Sequence, residues 1–412
     1  MDQASPVAIG TVGLGGYAGT ICRLLEGQSR EPDPPVRLTA VFEPDVAAHA
    51  GRLEELRSAG VQVAGSYEEL LAAPNEAVWL PLPIHLHQSF TERALGAGKA
   101  VMCEKPAAGS VDDLHAMMAA RDRAGRPVAI GFQHIYDPAT HEVKRRLLDG
   151  AIGRLRSATV VVCWPRELAY FARNDWAGRF RRDGVWVMDS PASNAMGHYV
   201  NLPLFWLGEA PAASAAPVAV DAELYRVNDI ENYDTCSLRV QMADGAELLV
   251  LLTHACGETI DPQITVTGEA GTLEARPGQA ATFRDARGEV IEHLALADEP
   301  REQMVRRFAA RVRGALDDDA MATLEQSESH LVAVNGASEA AAVRPVPKDA
   351  IKVVRGRGGE PTRAIRGIEE AFEQCARRGQ LLSESGLVPW SVPPGRRDLR
   401  GYRHFAGPAA QD

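Results

Sequence analysis

The stretch VMCEKPAAG, residues 101–109, sets a thiol, a carboxylate, a lysine and a proline at the end of a short apolar run. If that run is a strand, Lys105 stands at its tip, on the edge that lines a ligand crevice; a solvated loop lysine is the plain alternative. A second candidate lies nearer the N-terminus. In TVGLGGYAGTI, Gly13, Gly15 and Ala18 follow the pattern G-x-G-x-x-A between a β-rich run and a helical one. In that setting backbone can close on a pyrophosphate at a helix start, and Gly16 and Tyr17 belong to the same turn. Glu43 ends the next β-rich run, AVFEPD. A carboxylate there accepts hydrogen bonds from an adenosine ribose and repels a 2′-phosphate, so NAD is the expected cofactor and NADP the less favoured one. Asp45 competes for that role or caps a helix.

These residues need a scaffold, and the pattern supplies one. Apolar runs at 7–12, 36–42, 61–63, 77–82, 100–103 and 128–132 read as strands, with helical spacing at 17–27, 47–59, 66–73, 87–97 and 110–124 between them. Such alternation predicts right-handed crossovers and an α/β fold, an N-terminal doubly wound parallel (Rossmann) sheet whose strand tips form the ligand crevice. Past about residue 140 the texture changes. A helix at 142–149 and β runs at 154–164, 234–241, 246–254, 263–267 and 271–275 lead to helices at 302–315, 323–342 and 362–378, while Ala- and Pro-rich 209–222 reads as a loop or strand lead-in. MADGA and TGEAG suit hairpin turns, so the second half is expected to be α+β with a mainly antiparallel open sheet. The expected division is 1–135 for dinucleotide binding, 136–385 for substrate and oligomer contacts, and 386–412 as a tail.

Composition narrows the class. A net charge of -11 over 412 residues argues against a nucleic-acid partner and for a small molecule. Six scattered cysteines, Cys22, Cys103, Cys163, Cys236, Cys256 and Cys375, form no Cys-x-x-Cys pair, so no metal site is expected and reduced cytoplasmic thiols are. No run reaches the roughly eighteen apolar residues that span a bilayer, and no basic residue precedes the first apolar run, so no membrane partner is expected.

Three stretches, VGLGGYAG, LPLPIHLHQSFTERALGAGKAVMCEKPAAG and AIGFQHIYDPATHEVKRRLLDGAIGRLRS, resemble the Gfo/Idh/MocA (glucose-fructose oxidoreductase and inositol dehydrogenase) family. The resemblance runs closely over the first 160 residues and loosely to about residue 375. It implies that Lys105, flanked by Glu104 and a cis Pro106, serves the active site; desolvation would favour the neutral amine that takes a substrate proton. Leu82, Pro83 and Ile84 would border the cofactor, with His87 as a helix-start residue and Gln133 on the nicotinamide side. Tyr136 would face substrate or pack between domains, and Cys103 would pack.

The family's second element, an aspartate-histidine pair on a helix, is altered here. In RRDGVWVMDSPASNAMGHYVNLPLFWLG, counting back from Trp206, Leu207 and Gly208 makes His198 the catalytic-type histidine and puts Asn194 and Asn201 at the aspartate positions. Asp189 stands upstream, where it could fold back to replace the missing acid. Trp176, Arg179 and Trp186 flank this region, and Trp164 with Arg166 ends the second half's first β run; aromatic rings stack on sugar C–H faces and arginine binds oxygens. The resemblance further implies a homodimer or homotetramer built on the antiparallel sheet, with ELLVLLTHACG as a buried or interface strand. Three functions stay open: NAD-dependent oxidation of a secondary hydroxyl on a sugar, cyclitol or glycoside; redox-neutral cleavage with tightly held NAD and a transient keto intermediate; and a non-catalytic cofactor-binding sensor or scaffold.

Overall fold

A computed structural model describes residues 5–316 and 320–410. The chain forms two compact units: the first comprises the chain to Ala108, Asp113–Tyr136 and Glu299–Leu324, and the second the remainder.

Six strands build the first unit: β1 (Val7–Val12), β2 (Val36–Phe42), β3 (Gln62–Ala64), β4 (Ala77–Leu80), β5 (Ala100–Cys103) and β6 (Val128–Ile130). Their order is β3-β2-β1-β4-β5-β6 and every pairing is parallel. Helices α1 (Gly16–Ser29), α2 (Ala50–Ser58), α3 (Tyr67–Ala72), α4 (His87–Gly96) and α5 (Val111–Ala124) fill the crossovers. β4 and β5 are buried throughout, as strands covered on both faces must be. Ser66 caps α3: its side chain accepts from the Glu69 N–H at 3.1 Å.

Two glycines shape the turn before α1. Gly13 sits at φ +87°, and its N–H donates to the Phe42 carbonyl at 2.8 Å, pinning the turn to the tip of β2. Gly19 solves a different problem: a Cβ there would lie 2.4 Å from the Leu14 carbonyl oxygen. That backbone contact, not the Ala18 position of the G-x-G-x-x-A pattern, is the tightest point between turn and helix. Gly19→Ala is therefore expected to lower the melting temperature by roughly 4 °C or more, the response of a domain losing about 1–3 kcal/mol to overpacking, and to weaken dinucleotide affinity. Thermal melts with and without NAD check it.

The second unit carries a ten-stranded sheet. Its strands are β7 (Leu155–Cys163), β10 (Pro217–Arg226), β11 (Thr235–Met242), β12 (Glu247–Thr253), β13 (Ile260–Gly268), β14 (Gly271–Arg276), β15 (Ala280–Asp285), β16 (Val290–Ala295), β17 (Val343–Pro345) and β20 (Gly395–Asp398). β8 (Arg181–Arg182) with β9 (Val185–Trp186), and β18 (Ile351–Arg355) with β19 (Pro361–Ile365), form separate two-stranded ribbons. The path β16-β15-β14-β13-β7-β12-β11-β10-β17 is mostly antiparallel; β7 runs parallel to β12, and β17 to β10. Three helices matter for the site: α6 (Pro138–Leu148), α7 (Leu168–Phe171) and α8 (Gly197–Leu207).

α6 starts earlier than its periodicity suggests, because Asp137 caps it, accepting from the Ala139 N–H at 2.9 Å, and Pro138 takes the first helical position. Fully buried Lys144 of α6 donates to the Phe205 carbonyl, to Gly208 at 2.5 Å and to Ala213 at 3.1 Å. Its ammonium thereby closes the C-terminal end of α8, where backbone carbonyls lack partners of their own.

Several expectations need correction. Residues 362–378 are not one helix: Pro361–Ile365 pairs with Ile351–Arg355 as a hairpin, and the helix begins at Ile368 after Gly367 at φ +69°. Residues 299–324, expected in the second domain, belong to the first unit. The segment after residue 385 is no free tail. Gly395–Asp398 pairs with Ala219–Ala222, and Phe405 is buried with its ring 4.9 Å from that of Trp186. The apolar run in β12 is buried within the chain, Leu249 and Leu251 packing in one core with Ile368, Phe372 and Cys375. Of the two expected alternatives, a buried or an interface strand, the first is the one found. All six cysteines are buried and unpaired with one another.

Candidate functional site

In the first unit the parallel sheet brings one set of residues to the C-terminal ends of its strands. α1 begins at Gly16 with Gly15 as its N-cap, and no side chain caps it. Its first N–H groups are left for a ligand, the arrangement that binds phosphate. A Cβ at Gly16 would meet nothing within 4 Å, so the approach is open. Half-exposed Tyr17 follows, with its hydroxyl 3.5 Å from Glu104 Oε1. Ala18 is buried against the Gly13 turn. Glu43, at the tip of β2, accepts from the Leu14 N–H at 2.5 Å and from the Asp45 N–H at 2.7 Å. It thus stands beside the glycine turn with one oxygen on each flank. These features fit a dinucleotide: donors for a pyrophosphate, and an acid where a ribose would lie.

At the tip of β5, Glu104 is buried and accepts from Trp79 Nε1 at 3.1 Å and from the Lys105 N–H at 3.4 Å. Burial pushes its carboxyl up; the Trp79 N–H and then the Lys105 ammonium pull it back. Lys105 itself is half-buried, and the Lys105–Pro106 peptide is cis. His87 is fully buried at the start of α4, Nδ1 lying 2.8 Å from the Pro106 carbonyl and Nε2 2.8 Å from the Leu82 carbonyl. Burial lowers its pKa while the two carbonyl acceptors pull it part of the way back, and the ring braces the two strand-tip loops against each other. Leu82 and Pro83 are half-buried on the loop after β4, and Gln133 is half-buried after β6. Tyr136 is a correction: it is fully buried and donates to the Ile130 carbonyl at 2.9 Å, so packing within the first unit leaves no surface for a substrate. Buried His134, pushed down to about 4 by burial and by Arg301, is held neutral near pH 7.

In the second unit a π-helical turn, Pro191–Ala195, leads into α8, with Ser190 as its cap. Asn194, His198 and Asn201 follow one another at intervals of four and three residues, close to one helical face. Asn194 and His198 are half-buried, while Asn201 is almost wholly buried. Asp189 does fold back. It is buried and accepts from Asn194 Nδ2 at 2.7 Å, from the Gly178 N–H at 2.7 Å and from Arg173 Nη2 at 3.3 Å. The carboxylate therefore holds the Asn194 amide through its nitrogen. Arg173 was missed by sequence reading. It lies over the rings of Tyr170, at 3.9 Å, and Trp176, at 5.1 Å. Arg179 is exposed and paired with Glu231 at 3.6 Å. Trp186 packs against Phe405 and under Arg181, which makes it a structural residue.

Among the described residues no group of His, Cys, Asp and Glu is arranged to hold a metal ion, and no helix is long and apolar enough to cross a membrane.

Comparison with known proteins matches this architecture. An uncharacterized oxidoreductase of Rhizobium meliloti, ORF334, is 39% identical over 120 residues, 27% of this chain and 36% of that protein. The inositol 2-dehydrogenase of Rhizobium meliloti (strain 1021) is 26% identical over 220 residues, 53% of this chain and 62% of that protein. The chain thus spans only part of the length of either relative. The crystal structure of the WlbA dehydrogenase from Bordetella pertussis, in complex with NADH and UDP-GlcNAcA, superposes with a TM-score of 0.64 at 23% identity, covering 81% of this chain and 97% of that one. At that identity the likeness concerns the fold. Residues 7–132 match the model of an oxidoreductase family with an NAD-binding Rossmann fold and residues 140–274 that of the GFO/IDH/MocA C-terminal domain, so the chain belongs to the Gfo/Idh/MocA family of oxidoreductases.

Proposed function

We propose that the protein oxidises a secondary hydroxyl of a sugar, cyclitol or glycoside, using NAD. The observation that carries the reading is Lys105. It is a half-buried amine beside buried Glu104, on the same sheet edge as the uncapped start of α1 and Glu43. NAD, when bound, accepts the hydride at its nicotinamide C4. Everything else falls to the chain's own residues. Lys105 takes the hydroxyl proton as the carbonyl forms, and His198 shares the proton handling. Asn194, held by Asp189, positions a neighbouring substrate hydroxyl. Asn201 orients a further hydroxyl, and Trp176 with Arg179 lines the approach. The relatives support the substrate class, since one of them is an inositol 2-dehydrogenase. A homo-oligomer is part of the proposal; sedimentation tests it independently of the chemistry.

Glu43 sets the cofactor preference in this reading. A 2′-phosphate at the tip of β2 would meet its carboxylate, a repulsion that favours NAD. Replacing Glu43 by Ser should raise NADP affinity about tenfold and lower that for NAD by a similar factor, as removal of one buried charge contact warrants. Fluorescence titration with both dinucleotides measures it. If the natural protein binds neither dinucleotide at millimolar concentration, the reading fails.

A further inference from the structure

The second unit holds a cavity of about 600 Å³ at the end of β7. Its walls are Trp164, Arg166, Glu167 and Tyr170 after that strand, Asp261 at the start of β13, and the turn of the β18–β19 hairpin with Arg357 and Thr362. The volume is that of small-molecule sites generally.

One oxygen of each carboxylate is engaged. Glu167 Oε1 accepts from the Gly358 N–H at 2.6 Å, and Asp261 Oδ1 accepts from Trp164 Nε1 at 3.2 Å. The donors are not. Arg166 lies over the rings of Trp164, at 5.6 Å, and Tyr170, at 4.9 Å, yet its buried Nε makes no hydrogen bond among the described residues. Thr362 is fully buried, and its Oγ1 likewise has no partner among the described residues. Arg357 sits on the exposed hairpin turn and makes no ion pair within 4.0 Å among the described residues. A buried guanidinium nitrogen and a buried hydroxyl without partners cost free energy that an acceptor ligand would recover. The flat rings around Arg166 add stacking surface for the C–H face of a sugar.

We propose that this cavity binds the anionic end of a sugar acid or sugar phosphate, its charge held by Arg166 and Arg357 and one of its oxygens by Thr362. The cavity also adjoins the helix of the candidate reaction site. Trp164 meets Tyr199 edge-to-face, with centroids 5.5 Å apart, and Tyr199 follows His198 in α8. A ligand anchored here by its charged group can direct a ring hydroxyl toward His198. That last step rests on the proposed oxidoreductase function; the binding site does not.

The test is isothermal titration of the full chain in low salt, without dinucleotide. The probes are D-glucuronate, D-glucose 6-phosphate, inorganic phosphate and uncharged D-glucose, and the first two separate a carboxylate from a phosphate ligand. At least one charged sugar should bind ten or more times as tightly as glucose, the factor expected of one charge-assisted hydrogen bond of about 1.5–3 kcal/mol. Arg166→Leu should abolish that preference. Arg357→Ala, on an exposed turn that leaves the fold intact, should weaken the charged sugar several-fold while glucose is unaffected. Equal binding of charged and uncharged sugars, no binding of either charged sugar, or an affinity unchanged in both variants would overturn the site. A charged sugar that binds but yields no NADH when NAD is added leaves the site standing and overturns only its link to the reaction.

Discussion

Replacing Lys105 by Ala is expected to lower kcat roughly 100- to 10,000-fold, the usual contribution of a positioned general base, while the dissociation constant for NAD stays within about a factor of three, under 1 kcal/mol. The reasoning is local. The phosphate-facing turn, Glu43 and the His87 brace all hold their hydrogen bonds through groups other than the Lys105 side chain. The amine can therefore be removed without dismantling the cofactor site. Lys105→Arg separates charge from proton transfer: a guanidinium keeps the charge but does not release a proton in the working pH range. It should be almost as inactive as the Ala variant. Substantial activity in Lys105→Arg would mean that this residue supplies only electrostatic attraction.

The second large effect concerns Asp189. Its carboxylate is the acceptor for the Asn194 amide, the Gly178 N–H and Arg173. Asp189→Ala leaves donors buried without an acceptor, at about 1–3 kcal/mol each, so a melting temperature lower by several degrees is expected. Activity should fall roughly 10- to 100-fold, the range seen when a partner that orients a reacting group is removed. Most of the loss should appear in KM if Asn194 positions a substrate hydroxyl. A double-mutant cycle isolates that role: once Asn194 is Ala, Asp189→Ala should cost little further activity although it still costs stability. Additive losses in KM would show that Asp189 acts on the substrate by another route.

How far the sequence alone reaches depends on the range of the interaction concerned. The strand-helix alternation of the first unit is written in local periodicity, so its six parallel strands were readable one by one. The glycine turn was readable from its place between strand and helix, whereas Lys105 and Glu104 were singled out by resemblance to the Gfo/Idh/MocA family. Asp189 was visible only as a displaced acid. Its contact with Asn194 depends on Ser190 capping a π-helical turn, a geometry without a periodic signature. Gly19 escaped because its constraint is a carbonyl across the turn, not a φ angle. Strand β19 was read as the start of a helix because Ala364 and Ile365 continue the apolar spacing of the helix beginning at Ile368; Gly367 marks the break. The β18–β19 hairpin supplies Arg357 and Thr362 to the second cavity, which no sequence spacing could have placed opposite Trp164.

The most direct test of the central claim is to incubate the purified protein with NAD and a panel of polyols, sugar acids and glycosides, following NADH absorbance while the products are weighed by mass spectrometry. The account predicts NADH in step with a product two hydrogens lighter than its substrate, and neither signal from Lys105→Ala. A cleaved or dehydrated product without NADH would contradict net oxidation and assign Lys105 to a redox-neutral reaction instead.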